Sequence, residues 1–552
     1  MKANDLLCII GEAADEHIQD AKNVKKMRMP QWAKWFSVIA ACLVLAIGIG
    51  GFLLTRKGGI SSPGSETGGS GHDGGSTFMS YAGPVFPLTL REENAAISAR
   101  RNITMDFAPW IPIWISNEEE AASRTELTEE ERQDVLNSYN RCYPEGGRYQ
   151  SSRNILVTDS YTLTNNDTQD QTVRVLYPFV SSLNYLSKKR PTLTLNGEVL
   201  ETTLHAGSYA GGFEGAWENW DETHENPGSL NLARFESWEG YRGLLSDGSY
   251  LQRALSDFVD FSHIPVTVYE ITDAWGPERN DDAGIPNPTI RIMFELDFSQ
   301  TKILSYGFNQ GLYDREQGIM GKGFSISQPG ERGYGVPCYI IVIGKDIHNI
   351  SYQGFATGGW DTKKTVETGV TITRTESNLE AALRLAARYQ YQDLTDAGNY
   401  FDEAPDYGFE LYFGLMKEHL MAYGILAENG AERYADGMIE NLDVTGVDRV
   451  FWLEAEITIP AGKSVKMDAV FEKEPSFDFY CNASENKGIC GYDLVCELGS
   501  NLTFTGQTAK LEDRGQIEIV RQNFGFDLSR GITEVKLTEP HYYLEVKSAG
   551  KD

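Results

Sequence analysis

The sequence predicts a mainly β protein. Its body is a membrane-anchored β-sandwich ectodomain of two units with a small helical insert, held by one N-terminal transmembrane helix. Three observations predict this. Phe36 to Leu54 runs for 19 residues without a charge or a proline, enough for a helix of roughly 28 Å, about the thickness of a hydrocarbon core. From about residue 78 the apolar period becomes two, the mark of strands with one buried face. Between residues 377 and 442 the period returns to that of a helix.

At 552 residues the chain exceeds what one compact core holds, so two or more folded units are expected. With 41% hydrophobic and 11% aromatic residues it has the material for them. The first 57 residues carry eight Lys/Arg and five acids, which leaves 41 bases and 74 acids, net −33, for the rest. A body that acidic is repelled by phosphate backbones, so nucleic-acid binding is excluded as a function class. The acidity is otherwise read as solubility and mutual repulsion.

Residues 1–34 read as a cytosolic head. Within it, Asn4 or Asp5 caps a short helix over residues 4 to 20, with Leu6, Leu7, Ile10, Ala14 and Ile18 along one side. That stripe suits docking of a cytosolic protein partner or contact with the membrane surface. Residues 35–55 form the transmembrane helix. Five bases between Lys22 and Lys34 precede it and only Arg56 and Lys57 follow closely, so the N-terminus is placed in the cytoplasm and the body outside it. Trp32 and Trp35 sit where an interfacial aromatic belt belongs. A cleaved signal peptide fits less well, because 35 residues precede the apolar run and no A-x-A site follows. A lipoprotein reading of Ile39-Ala40-Ala41-Cys42 fails on the apolar run that continues past Cys42. Residues 56–77 are a Gly/Ser linker, a flexible coil of about 25 Å that lets the body reorient above the bilayer.

Residues 78–376 read as a β-rich ectodomain unit. Ile155 and Val157, then Val173, Val175 and Tyr177, alternate with polar neighbours. Leu193 and Leu195 lead through Asn196-Gly197 to Val199, a hairpin signal. Ile290 to Phe298 alternates, and Tyr339 to Ile343 is apolar throughout, as a central strand requires. Tyr250 to Phe258 reads as a short helix. Residues 377–442 read as the helical insert: Ser377 and Glu380 as a capping box, Tyr407 to Leu426 as a second helix, Ala431 to Leu442 as a third. Residues 443–552 read as a C-terminal β unit. Phe451, Leu453, Ala455, Ile457 and Ile459 face one way, Pro460 to Lys463 turns, and Val465, Met467, Ala469 and Phe471 face back. Ile517, Ile519, Val535, Leu537, Leu544 and Val546 extend the pattern.

Among the cysteines, Cys481 with Cys490 or Cys496 is the expected local bridge; the alternative is that all of Cys142, Cys338, Cys481, Cys490 and Cys496 are buried thiols. Cys338, before an apolar strand, reads as a core thiol.

The candidate ligand site is the stretch 209 to 241. Trp217, Glu218, Trp220, Asp221, Glu222, His224 and Glu225 are its centre, flanked by Tyr209, Phe213, Trp238 and Tyr241. Aromatic faces beside carboxylates suit an envelope glycan, whose rings stack while the acids accept hydroxyl hydrogens. Paired carboxylates also suit glycosidase chemistry at the correct separation, and an ordinary core-capping loop uses the same residues. Asp221, Glu222, His224 and Glu225 match no established metal spacing. The acidic loop Asp396, Asn399, Asp402, Glu403 and Asp406 lacks the EF-hand glycine and terminal glutamate. Gly318 to Gly323 lacks the Gly-Lys-Ser/Thr ending of a phosphate loop and reads as a hairpin loop. No GxSxG, HExxH or SxxK motif occurs. No catalytic set, no metal site and no cofactor is therefore expected.

A basic head, one span and a Gly/Ser linker before an acidic β-rich body resemble single-pass envelope proteins of Gram-positive, clostridia-type bacteria. Tyr161 to Asn166, Leu176 to Phe179 and Ile459 to Val465 look like turns of immunoglobulin-like sandwiches. The resemblance implies an immunoglobulin-like ectodomain at the cell membrane and brings no catalytic motif. The head, Asp5-Leu6-Leu7 through Glu12 to Glu16, is similar to heads of membrane-bound anti-sigma-type proteins, without the HxxxCxxC zinc pattern of one such class. The expected function is a non-enzymatic extracytoplasmic binding or sensing protein with a glycan or protein ligand. The alternatives are a transmembrane regulator whose head holds a cytosolic partner, and an envelope glycan hydrolase.

Overall fold

The computed structural model describes residues 83–124, 127–150, 152–209, 215–217, 229–231, 253–331, 333–360, 362–395, 407–422, 425–426, 437–442, 444–478 and 488–549. The head, the apolar stretch and the linker lie outside these. Among the described residues no helix is long and apolar enough to cross a membrane.

The protein is mainly β. The chain lays down β1 (Thr89–Leu90) and β2 (Ile97–Asp106). It then makes an excursion through β3 (Ile113–Ser116), α1 (Asn117–Ser123), α2 (Glu129–Cys142) and β4 (Gly147–Gln150). It returns as β5 (Ile155–Asn165) and β6 (Gln171–Ser181), followed by α3 (Leu186–Lys189), β7 (Thr192–Leu195), β8 (Glu198–Val199) and β9 (Thr203–Tyr209). A short pair, β10 (Gly215–Trp217) and β11 (Ser229–Asn231), comes next. A second run holds β12 (Pro265–Trp275), β13 (Thr289–Glu295), β14 (Thr301–Tyr306), β15 (Gln310–Asp314) and β16 (Ile319–Ser325). It continues with β17 (Cys338–Gly344), β18 (His348–Phe355), β19 (Thr365–Val366), β20 (Gly369–Asn378), α4 (Leu379–Thr395) and α5 (Phe409–Ala422). The last run holds β21 (Arg449–Ile459), β22 (Ser464–Lys473), β23 (Phe477–Asp478), β24 (Cys490–Val495), β25 (Thr503–Glu512), β26 (Ile517–Gln522), β27 (Glu534–Lys536) and β28 (His541–Ser548).

The first and last runs share their sheets. One sheet has the order β1-β6-β21-β9 and a larger one β27-β25-β2-β5-β22-β7-β8. β21 pairs with β6 over its whole length, from Arg449↔Ser181 to Ile459↔Gln171, and β22 pairs with β5 in the same way. Residues 443–552 are therefore not a separate C-terminal unit, which corrects the division drawn from the sequence. β21 and β22 lie in the middle of sheets whose neighbouring strands β6 and β5 come some 290 positions earlier; strand period gives each strand's faces but not its partner. The alternation itself holds. Ile155, Val157, Tyr161 and Leu163 of β5 and Val465, Met467 and Ala469 of β22 point inward and pack against Val175 and Tyr177 of β6 and Phe451 and Leu453 of β21. Tyr177 meets Phe471 ring to ring at 5.9 Å. At the Asn196-Gly197 turn both residues have positive φ, 51° and 93°, the backbone a two-residue hairpin needs. A third sheet, β23-β24-β28-β26, adds Tyr492, Leu494, Leu544 and Val546 to the same core.

The second run builds three layers. The sheet β14-β17-β12-β20 has two buried faces. Ile340 and Val342 of β17 face the core shared with the sheet β15-β16-β13-β18-β19, through Ile290, Ile292 and Phe294. Tyr339 and Ile341 face the core containing Leu383, Ala386 and Ala387 of α4 and Tyr412 and Met416 of α5. That double burial explains the uninterrupted apolar run of β17. The predicted helices thus form one face of a β unit. The cap of α4 is Asn378, whose Oδ1 accepts from Ala381 N at 2.9 Å, and not Ser377, which is paired with Val266 in β20. Glu380 turns instead to Phe261 N and Lys417 Nζ. The second helix is shorter than expected, and of the third only 437–442 is described, with a 3-10 turn at Ile439–Asn441. Of the helix expected at 250–258, residues 253 and 254 alone are helical among those described. Gly318 to Gly323 is not a hairpin loop. Gly318 makes the turn at φ 67°, and Ile319 onward is β16, where Gly321 lies under the Trp360 ring because a Cβ there would come 2.9 Å from it.

Candidate functional site

Two of the ionised clusters that the fold creates differ in a way that decides their roles. The first is sealed. Arg101 on β2 and Asp159 on β5 have no exposed surface. Arg101 donates Nε and Nη2 to the two Asp159 oxygens at 2.8 and 2.7 Å, and further to the carbonyls of Val495 and Phe86. The Tyr161 and Tyr177 hydroxyls both donate to Asp159 Oδ2. Burial works against the guanidinium charge, but Asp159 and Tyr161 outweigh it and hold Arg101 above its ordinary range; burial pushes both tyrosines up. This network joins three sheets and is structural.

The second is open. Glu454 lies mid-way along β21, between Leu176 of β6 and Thr203 of β9, on the sheet face away from the core that receives Leu453 and Ala455. Its side chain is 11% exposed. Glu454 Oε2 accepts from Arg91 Nη1 at 2.6 Å and from His205 Nε2 at 2.7 Å, and Arg174 Nη1 stands 3.7 Å from Oε1. Arg174 also reaches Glu92. Beside them runs a groove lined by Arg174, Glu201, Thr202, Thr203, Glu454, Ala455 and Glu456. The local sequence explains the site. Side chains alternate along β21, so with Leu453, Ala455 and Ile457 in the core, Glu454 and Glu456 share the other face. Cross-strand register then sets Arg174 opposite Glu456.

Chemically, the groove offers guanidinium donors, threonine hydroxyls and carboxylate acceptors side by side. Such a mixture has the chemistry to hydrogen-bond hydroxyls or amides. Glu454, held by two arginines and a histidine, is a fixed acceptor that positions its neighbours.

The site expected from sequence is not brought into this groove by anything described. Glu218, Trp220, Asp221, Glu222, His224 and Glu225 lie outside the described residues, and of Trp217 only its backbone, in β10, is described. Leu6, Leu7, Ile10, Ala14 and Ile18 of the head, and the acidic loop at 396–406, also lie outside. Among the described residues no group of three or more His, Cys, Asp or Glu side chains is placed to hold a metal ion. The groove escaped sequence reasoning because its members come from three strands far apart in the chain, β6, β9 and β21, with Arg91 just past β1. The one local signal was a glutamate pair at positions 454 and 456 in a run otherwise apolar from Val450 to Ile457.

The cysteines correct a second expectation. Cys490 and Cys496 are buried thiols outside any disulfide, so neither bridges Cys481; Cys490 lies in the core with Tyr492 and Leu544, its Sγ accepting from Arg153 Nη1. Cys142, the last residue of α2, is disulfide-bonded, with its partner outside the described residues. Cys338 is a buried thiol that burial pushes upward, as a core thiol should be. Burial also lifts Cys496, to about 12.

Comparison with protein families, with curated proteins and with solved structures finds no match.

Proposed function

We propose that this chain is a single-pass, membrane-anchored extracytoplasmic protein whose body binds or senses a ligand without transforming it. The observation that carries the location is the disulfide at Cys142. Such bonds persist in oxidising compartments and are rare in the cytosol. It agrees with the 19-residue uncharged stretch, the bases before it and the Gly/Ser linker after it. The packing of β5 and β22 over β6 and β21 supports an immunoglobulin-like sandwich for the body. The groove beside Glu454 supports binding, because it joins donors and acceptors on a rigid central strand and remains accessible. An envelope glycan or a protein segment has the hydroxyls or amides it would take.

The test is protease shaving of intact cells combined with carbonate extraction of membranes. The body is expected to be digested from outside, while a fragment holding the head stays in the carbonate-resistant pellet. Deleting Phe36 to Leu54 is expected to release the chain from the pellet. A body protected from protease, or a full-length chain extracted by carbonate, overturns the reading.

A further inference from the structure

The excursion between β2 and β5 is more elaborate than a connection between two neighbouring strands needs. β2 and β5 pair antiparallel to their ends, Asp106↔Leu156, so a tight turn would join them. Instead the chain builds a small platform. β3 and β4 form an antiparallel ribbon, and α1 is capped by Ser116, whose Oγ accepts from Glu119 N. Thr128 and Glu131 form a capping box at the start of α2. Arg148 binds Glu120 through two hydrogen bonds at 2.6 and 3.1 Å and lies over the Tyr143 ring. The buried Asn117 donates to Asn140 Oδ1 and the Tyr143 carbonyl. The disulfide at Cys142 fastens the end of α2.

This scaffold holds apolar side chains out in solvent. Ile111, Pro112, Ile113 and Trp114 are four consecutive exposed residues, and Ile113 is 66% exposed. Tyr149, 72% exposed, faces Trp114 across the ribbon, with ring centroids 5.0 Å apart. Gly147 fixes the presentation: a Cβ there would come 2.7 Å from the Trp114 ring, so the indole lies over the β4 backbone. Exposed apolar runs of this kind are tolerated only where they are used. β3 and β4 pair with each other and with no other strand among the described residues.

Charge selects the occupant. Exposed Glu118 and Glu119 open α1 directly after β3, and exposed Glu129, Glu130, Glu131 and Asp134 line the start of α2. They repel an anionic bilayer, an anionic wall polymer and a second copy of this acidic chain. They attract cations, and a ribbon with open edges accepts an extended strand. We propose that the Ile111–Trp114 edge with Tyr149 is a docking surface for a cationic, apolar, extended polypeptide segment of a partner protein. This surface presupposes the binding-module reading and names a partner class for it.

The test uses the full chain in nanodiscs and three synthetic 14-residue probes: alternating Lys-Leu, alternating Lys-Ser and alternating Ser-Leu. The Lys-Leu probe is expected to bind, and Ile113→Ser/Trp114→Ser/Tyr149→Ser to weaken it by about tenfold or more. The other two probes are expected to be indifferent to the substitutions. Should the triple variant unfold early, Tyr149→Ser alone carries the comparison, since its ring is largely in solvent. Equal affinity of wild type and variant for Lys-Leu overturns the proposal. So does patch-dependent self-association by sedimentation velocity, which makes a second copy the occupant. Patch-dependent co-flotation with phosphatidylglycerol vesicles overturns it too, by making a bilayer the occupant. Shaving and carbonate extraction read the anchor independently, so failure of one reading is distinguished from failure of the other.

Discussion

Glu545 shows how one buried group makes the whole molecule sensitive to pH. It lies on β28 beside Arg521 of β26, opposite Gly491 of β24, with no exposed surface. Arg521 Nε donates to Oε2, while Oε1 has no hydrogen-bond partner among the described residues. Burial raises its carboxyl to about 7; Arg521 pulls the other way and Asp493, itself bonded to His541, adds to the rise. A carboxyl raised in the folded state makes folding bind a proton. Its contribution is present at pH below the ordinary carboxylate range and is lost as pH climbs through about 7. Glu545→Gln is therefore expected to raise the melting temperature at pH 8 and to leave it nearly unchanged at pH 4. Thermal unfolding of both proteins across pH 4–8 checks this, and parallel curves would refute it. Lys473 is the opposite case: burial lowers it to about 8, and its Nζ donates to the Glu474 carbonyl.

At the scale of elements, the junction of β20 and α4 separates sequence pattern from local geometry. Ser377 and Glu380 have capping-box spacing, yet Ser377 is still extended and opposite Val266 when the cap forms one residue later. β12 holds the strand straight through Asn378, its partner there being Pro265. Asn378→Ala is expected to cost about 1 kcal/mol, the usual worth of such a cap. Ser377→Ala is expected to cost within about 0.5 kcal/mol of nothing, because Ser377 is a half-buried strand residue whose side chain does not cap the helix. Urea unfolding of the two variants distinguishes them, and a larger loss at Ser377 would restore the capping box. The excursion that carries Trp114 and Tyr149 has its own helix caps, the Arg148–Glu120 pair and the Asn117 hydrogen bonds, which hold its shape from within.

At the scale of the molecule, the chain leaves its first pair of sheets after β9, builds the three-layer unit of β12 to α5, and returns with β21. Two strands, β21 and β22, then fill the centre of sheets begun by β5 and β6. A chain ending at residue 442 would leave those sheets split, with β5 and β6 stripped of their neighbours β22 and β21. Truncation there is expected to abolish the cooperative unfolding of residues 83–209. A separate C-terminal unit would leave it unaffected. Circular dichroism melts and limited proteolysis of the truncated chain provide the comparison.

By itself the sequence determined what depends on neighbours along the chain. These are the strand faces of β5, β6, β21 and β22, the Asn196-Gly197 turn, the helical run from Leu379, and the double burial of β17 announced by Tyr339 to Ile343. Each is a periodicity or a dihedral preference, local by nature. Only the tertiary structure decided which strands are partners, because alternation reads the same beside any neighbour. It also decided that Cys490 turns into the core rather than into a bridge, that Arg101 meets Asp159 out of reach of water, and that Arg91, Arg174, His205 and Glu454 converge. Those contacts join residues up to several hundred positions apart, and no spacing along the chain encodes a distance across it.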